Sequence, residues 1–369
     1  MTPLLSICVP TYNRAARLRV MLQAVLPQVA KHPDQVELWV SDNASPDETA
    51  SVAESARILG PFGYQRNDTN LGAVRNTLKL TLQLARGEFV WVLGDDDLLR
   101  PNAVARALGA IAAHRELDLI YLNFRVADYS THWPSEAIGG FDGGFKGIAN
   151  PELSDRSLGQ WHEIVRGSNS MATQIYANVI RRRVWQDYWA GQPLRNDFDD
   201  VGYTYPHSTM IAKVLMRKPS FYVGDPVLTI FDGGESWSDR RAVIHLSRFP
   251  ELLRWYQKHG LPAARVRECA RVVFTECGPF LADLLRREAR FRLPNVIFYL
   301  LANWRFSEAW RALADASIAT GRPRLFSRLC RVTLKFWPQI RRVRGKLGFE
   351  TTRLRDALGR RIKTYRTNS

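Results

Sequence analysis

Short apolar runs alternate with amphipathic stretches through the first 130 residues. Residues 4–10 read as a buried strand ending at Pro10, and Asn13 is placed to cap a helix over 14–30. A second strand spans 36–41 and runs into the turn-forming loop Asp42-Asn43-Ala44-Ser45-Pro46-Asp47, with a helix over 48–59 behind it. A short strand at 64–66 precedes a helix over 71–85, entered through Asn70-Leu71-Gly72. Residues 88–93 form the most apolar strand of this region, followed directly by Gly94-Asp95-Asp96-Asp97. A helix over 101–115 and a strand over 117–126 complete the alternation. Such alternation predicts an α/β fold, a mostly parallel sheet flanked by helices. Ligands of such sheets bind beyond the carboxyl ends of the strands, so the polar loops at 10–14, 42–47 and 94–97 are expected to share one crevice.

Beyond residue 126 the pattern weakens. Residues 127–170 are rich in Gly, Ser, Asp and aromatics and read as a mobile or acceptor-facing insertion. A strand is expected over 176–182, short helices over 184–188 and 205–215, and an edge strand over 221–231 broken at Pro226. After Trp237 the pattern becomes helical, over 246–259, 263–276 and 280–291. There is no internal repeat. The expected organisation is a sheet domain over 1–240, a helical extension over 241–321 and a basic tail over 322–369.

Charge sharpens that last boundary. The 369 residues carry a formal net charge of +16, but residues 322–369 hold 15 Lys and Arg against Glu350 and Asp356, which is +13. The preceding residues are close to neutral. A basic stretch with Phe336 and Trp337 over 325–344 suits an anionic membrane surface, and no nucleic-acid recognition motif accompanies it. Hydrophobic content of 46% supports a full core. Cys8, Cys269, Cys277 and Cys330 have neither zinc nor CxxC spacing and read as thiols of a reducing compartment. No leader peptide and no 18-residue apolar run is seen, so the expected location is cytoplasmic, peripheral on the inner face of the cell membrane.

The candidate chemistry starts with the Asp triplet. Three adjacent carboxylates repel one another unless a cation or solvent relieves them, and a hard Mg2+ or Mn2+ that also takes substrate phosphates suits the spacing. The competing reading is a solvated, helix-capping turn before Pro101. Asp42 at a strand end can accept from a ribose or a base imide, or simply close its turn. Tyr12 beside Pro10 suits a planar base, Arg14 can meet a phosphate or solvent, and Gly72 allows close backbone approach with Arg75 one turn on.

These segments, in this order, resemble the family 2 glycosyltransferases, which have the GT-A fold. The matching stretches are Ser6 to Arg14, Val40 to Thr49, Asn70-Leu71-Gly72 with Arg75-Asn76, and Gly87 to Asp97 with Pro101. Residues 4–125 match closely, 165–240 loosely and the C-terminal third not at all. The resemblance implies that Asp42, with Asn43, reads the nucleotide base, that Pro10 and Tyr12 line it, and that Arg75 lies near base or diphosphate. It implies Asp96 and Asp97 as metal ligands, with Asp95 assisting or contacting ribose, because Gly94 stands where the family's D-x-D-D has its first acid. It also implies a catalytic carboxylate about 100 residues on, where Asp197-Phe198-Asp199-Asp200 stands. Asp199 or Asp200 is favoured, with Asp197 in reserve, against a reading as helix-capping acids.

A late metal-binding His of the family has no counterpart, leaving Asp232 or no protein group. Ser236 and Trp237 are expected to close over the diphosphate, and Trp161 and Trp185 are either acceptor contacts or core. The expected reaction is inverting transfer of a sugar from a nucleotide-diphosphate donor to a hydroxyl of a saccharide or lipid-linked acceptor, in cell-surface polysaccharide or lipopolysaccharide synthesis. A nucleotidyltransferase is the rival enzyme, though 10–17 lack the Gly-rich loop with lysine that it needs. A membrane- or nucleic-acid-binding module with a degenerate donor site is the non-enzyme rival.

Overall fold

Strand β1 (Leu5–Thr11) lies inside the sheet and pairs in parallel with β2 (Val36–Asp42) and β4 (Phe89–Val92). Both its faces are covered, which is why its sequence is a continuous apolar run rather than an alternating one. The computed structural model describes residues 2–135, 145–193, 195, 197–233, 241–286, 299, 302–303 and 306–321. These divide into two units, one within 1–236 and 255–262, the other within 237–254 and 263–369.

The first unit holds a 10-stranded sheet whose main path runs β3 (Gly63–Arg66), β2, β1, β4, β9 (Asn178–Arg181), β6 (Leu119–Asp128), β10 (Ser220–Asp232), β5 (Leu98–Leu99). Strand β9 is inserted antiparallel between β4 and β6, so β6 and β10 again point the same way as β1 to β4. Arg181 staples this insertion: it pairs with Glu88 and donates from Nε to Asp118 Oδ1 at 2.9 Å. Parallel register then brings the strand ends into a row. Thr11 is opposite Asp42, Asp42 opposite Arg66, and Asp128 opposite Asp232. Helices α1 (Ala15–Val29), α2 (Thr49–Ala56), α3 (Ala73–Lys79) and α4 (Ala103–Ala113) connect the strands.

Four sequence expectations change. Strand β10 is not an edge: its first half pairs with β8 (Arg156–Leu158) and its second with β5, while β6 flanks it throughout. Pro226 falls in a register shift between Val223 and Leu228, where a missing N–H costs no ladder bond. The described part of 127–170 is built into the sheet, through β7 (Gly147–Ile148) on β6 and β8 on β10, with Trp161 fully buried. The helix expected over 71–85 is α3 followed by a π turn, Leu80–Leu84. In the second unit, the helices expected over 263–276 and 280–291 are one helix, Ala263–Arg286, which continues through Pro279. It carries the buried stripe Cys269, Val273, Phe274, Cys277, Leu281 and Leu285 and packs on the helix Ser307–Ala319, and packing outweighs the lost hydrogen bond.

No helix among the described residues is long and apolar enough to cross a membrane. Cys8, Cys269 and Cys277 are buried thiols.

His207 begins helix α7 (Pro206–Val214) after α5 (Tyr129–His132) and α6 (Arg182–Trp189). It is buried, and Nε2 donates to the Thr173 carbonyl at 2.8 Å. Burial pushes its pKa down to about 4 from 6.5. Between those values the unfolded chain takes a proton that the folded chain refuses, so stability falls as pH drops from 6.5 towards 4. The loss is about 2 kcal/mol at pH 5. Thermal melts at pH 7.5 and 5 are expected to converge in His207→Gln relative to wild type; an unchanged pH dependence contradicts the assignment.

Candidate functional site

The acid turn sits where β4 ends in the row of strand ends. Gly94 N donates to Asp97 Oδ2 at 2.6 Å, which folds the turn back on itself. A Cβ at Gly94 would lie 2.9 Å from Asp96 Oδ1 and 3.0 Å from Asp97 Oδ2. A side chain at this position would require the Asp96 and Asp97 carboxylates to shift. Asp95 is buried; Thr11 donates to its Oδ2 at 2.7 Å and Arg14 to its Oδ1 at 2.7 Å. Arg14 also reaches Asp96 Oδ2 at 2.9 Å, and Arg17 reaches the same oxygen at 2.8 Å. Burial, with Asp96 nearby and Arg14 opposing, pushes Asp95 up to about 6. Burial, and next Asp96, pushes Asp97 well above the carboxylate range. Arg17 is absent from the sequence reading; its position three residues after Arg14, on the same helix face, was the available signal.

The donor set is oxygen-only and short of positive charge, which suits a hard divalent cation held by one or two carboxylates with substrate phosphates completing its shell. It is not a preformed cage: among the described residues no group of three such side chains converges on a metal position. Asp96 and Asp97, with Asp95 beside them, are the residues that would hold the cation.

The loop after β1, which bonds the turn through Thr11 and Arg14, is knitted to the Asp42 loop. Asn43 N donates to Thr11 O at 2.9 Å, Asn13 N to Ser45 Oγ at 2.9 Å and Ala15 N to Asp47 Oδ2 at 2.9 Å. Asn13 and Ala44 take φ values of 54° and 62°, conformations that non-glycine residues hold only when the surroundings impose them. Asp42 is 0% exposed. Its oxygens accept from Ser45 N at 2.8 Å, Tyr64 OH at 2.7 Å and Arg66 at 3.4 Å, so its carboxylate shapes the loop. Asn43 is likewise buried, and its Oδ1 accepts from Leu71 N at 2.8 Å and Asn67 Nδ2 at 3.1 Å. Asn76 continues this amide network to Ser41 Oγ at 2.6 Å. Tyr12, by contrast, is 43% exposed and presents its ring beside half-buried Pro10.

The 197–200 segment docks on the same edge. Asp197 takes Ala73 N at 2.5 Å and Val74 N at 2.9 Å, a cap for α3 supplied from 124 residues away. Gly72 (φ 87°) allows this approach, since a Cβ there would lie 2.9 Å from Asp197 Oδ2. Arg75 Nε donates to Arg195 O at 3.2 Å. Asp200 accepts from Tyr203 N at 3.0 Å and Arg195 at 3.1 Å, while Asp199 is exposed. Trp161 and Trp185 are core side chains, which removes the acceptor-contact reading for both. Ser236 and Trp237 lie outside the described residues. Asp232 is at the end of β10 and pairs with Lys146 at 3.3 Å. Its strand neighbour Asp128 was not singled out from sequence.

Residues 6–171 match the family model described as Glycosyl transferase family 2. Over that span, less than half of the chain, the sequence is similar to this family. It is 38% identical over 104 residues to the abequosyltransferase RfbV of Salmonella typhimurium, covering 28% of this chain and 31% of that one. It is 32% identical over 133 residues to a PGL/p-HBAD biosynthesis glycosyltransferase of Mycobacterium bovis, covering 36% of this chain and 50% of that one. The matches thus span at most half the length of these relatives. The S. aureus TarS 1-349 structure in complex with UDP aligns with a TM-score of 0.52 at 16% identity, covering 99% of this chain and 92% of that one. The same protein in complex with UDP-GlcNAc aligns at 0.53 and 15% identity, covering 86% and 92%. These neighbours share the GT-A fold with this chain. The family 2 span contains the acid turn, the Asp42 loop and the start of α3, whereas Asp197 to Asp200 and Asp232 lie beyond it.

The Asp197 cap sets a stability prediction. Asp197→Ala is expected to cost about 1–2 kcal/mol, lowering the denaturant midpoint without changing the slope. An unaltered midpoint would show that α3 does not depend on it.

Proposed function

We propose that this chain transfers a sugar, with inversion, from a nucleotide-diphosphate donor to a hydroxyl of a saccharide or lipid-linked acceptor in cell-surface polysaccharide synthesis. The observation that carries this reading is the acid turn, with its raised carboxylates, at a strand edge within a family 2 span. Tyr12 stacks on the base, and Asp42 and Asn43 act by holding the loop that lines it. Bound Mg2+ or Mn2+ would neutralise charge on the departing diphosphate. Arg14 and Arg75 supply fixed positive charge at the same edge. The acceptor oxygen attacks the anomeric carbon opposite the leaving diphosphate, and a carboxylate removes its proton.

Asp199 or Asp200 is the favoured base, with Asp197, which caps α3, in reserve. A panel of UDP-, GDP- and dTDP-sugars, assayed with and without Mn2+, tests the activity. Asp96→Ala is expected to abolish donor turnover. Asp199→Asn or Asp200→Asn is expected to lower kcat about 100-fold or more while nucleotide binding stays intact. Full turnover in either variant removes that residue from the mechanism.

The +13 charge of residues 322–369 supports docking on an anionic membrane, from the inner, cytoplasmic face, where a lipid-linked acceptor is reached. Sedimentation with phosphatidylserine-containing vesicles is expected to retain the full chain and release a chain ending at residue 321. Equal retention of both contradicts this role for the tail.

A further inference from the structure

Two arginines already pair with Asp95 and Asp96 in the acid turn. Arg14 Nη1 bridges Asp95 Oδ1 and Asp96 Oδ2 at 2.7 and 2.9 Å, and Arg17 Nη1 lies 2.8 Å from that same Asp96 oxygen. A bound divalent cation sits about 2.1 Å from its carboxylate oxygen. It cannot take Asp96 Oδ2 while two guanidinium nitrogens occupy it, and the like charges repel. The two arginines are held differently. Arg14 is tied to Asp95, whose side chain is 4% exposed and fixed by Thr11. Arg17 meets Asp96, whose side chain is 23% exposed, and its guanidinium lies over the Tyr129 ring, 4.4 Å from the centroid. A cation–π contact tolerates sliding better than a directed hydrogen bond does, so Tyr129 can support Arg17 in more than one position.

We propose that Arg17 is a displaceable counterion. It keeps a divalent cation out of the donor-free acid turn, and it moves from Asp96 to the donor's diphosphate when donor and cation enter together. The planar guanidinium fork suits phosphate oxygens as well as it suits a carboxylate. The total charge of the site then stays nearly constant: two positive charges arrive with the cation and two or more negative charges with the diphosphate. The inference rests on the donor-site reading above and adds an order of events to it.

The test is Mn2+ binding to the full chain, read by the electron paramagnetic resonance signal of free Mn2+, with and without UDP, GDP or dTDP. Wild type is expected to bind Mn2+ weakly alone and much more tightly with the matching nucleotide. Arg17→Gln is expected to bind Mn2+ alone about tenfold more tightly than wild type, with a smaller gain from nucleotide. Arg17→Lys, which keeps the charge, is expected to exclude Mn2+ as wild type does. Tyr129→Leu loosens Arg17 from outside the acid turn and is expected to shift affinity in the direction of Arg17→Gln; it also serves if Arg17→Gln does not fold. If nucleotide binds but neither Arg17→Gln nor Tyr129→Leu raises Mn2+ affinity, the counterion role is wrong and the donor site stands. If no nucleotide binds wild type with or without Mn2+, the donor-site reading itself fails, and this inference with it.

Discussion

Three carboxylates at the end of one buried strand need countercharge, and much of the surrounding structure answers that need. Two such groups about 4 Å apart repel by about 4 kcal/mol at an effective dielectric of 20. The turn relieves this in several ways at once. Gly94 N bonds Asp97, Thr11 bonds Asp95, and Arg14 and Arg17 project from the first turns of α1 onto Asp95 and Asp96. Burial still holds Asp95 and Asp97 above the ordinary carboxylate range, so the turn retains a demand for positive charge.

The neighbouring loops are tightly cross-linked as well. The Asp42 loop is bonded to the end of β1, Asn43 to the entry of α3, and α3 to Asp197. The chain of bonds runs from the acid turn to the segment that holds the candidate base. Buried amide networks of this kind are rigid when every member is satisfied and costly when one is lost. Rigidity matters here because a 1 Å error between nucleophile and leaving group is expensive in rate.

Several side chains that the sequence offers as ligand contacts also serve the fold itself. Asp42 and Asn43 were legible as strand-end polar residues, but nothing local shows that Tyr64, Arg66, Asn67 and Leu71 N converge on them. The Asp197 cluster was legible as acidic and turn-like, and the turn-like reading applies to Asp197 and Asp200. Trp161 and Trp185 went into the core, and the Gly-rich stretch contributed β7 and β8 to the sheet. Pro226 was read as a break, yet a bulge absorbed it, and one helix runs through Pro279 where two were expected.

The alternation of strands and helices, the polar edge of the sheet and the Asp triplet at its centre are all legible in the residue pattern. Those follow from periodicity and from the carboxyl-end rule, which are local or topological. Only the tertiary structure decided which polar groups are left for a ligand. Hydrogen-bond partners such as Asp197 and Ala73 are 124 residues apart, and a side chain's availability depends on partners that no local pattern reveals. The same is true of Arg17, an ordinary helix-face arginine in sequence that becomes a counterion of the acid turn once α1 packs beside β5.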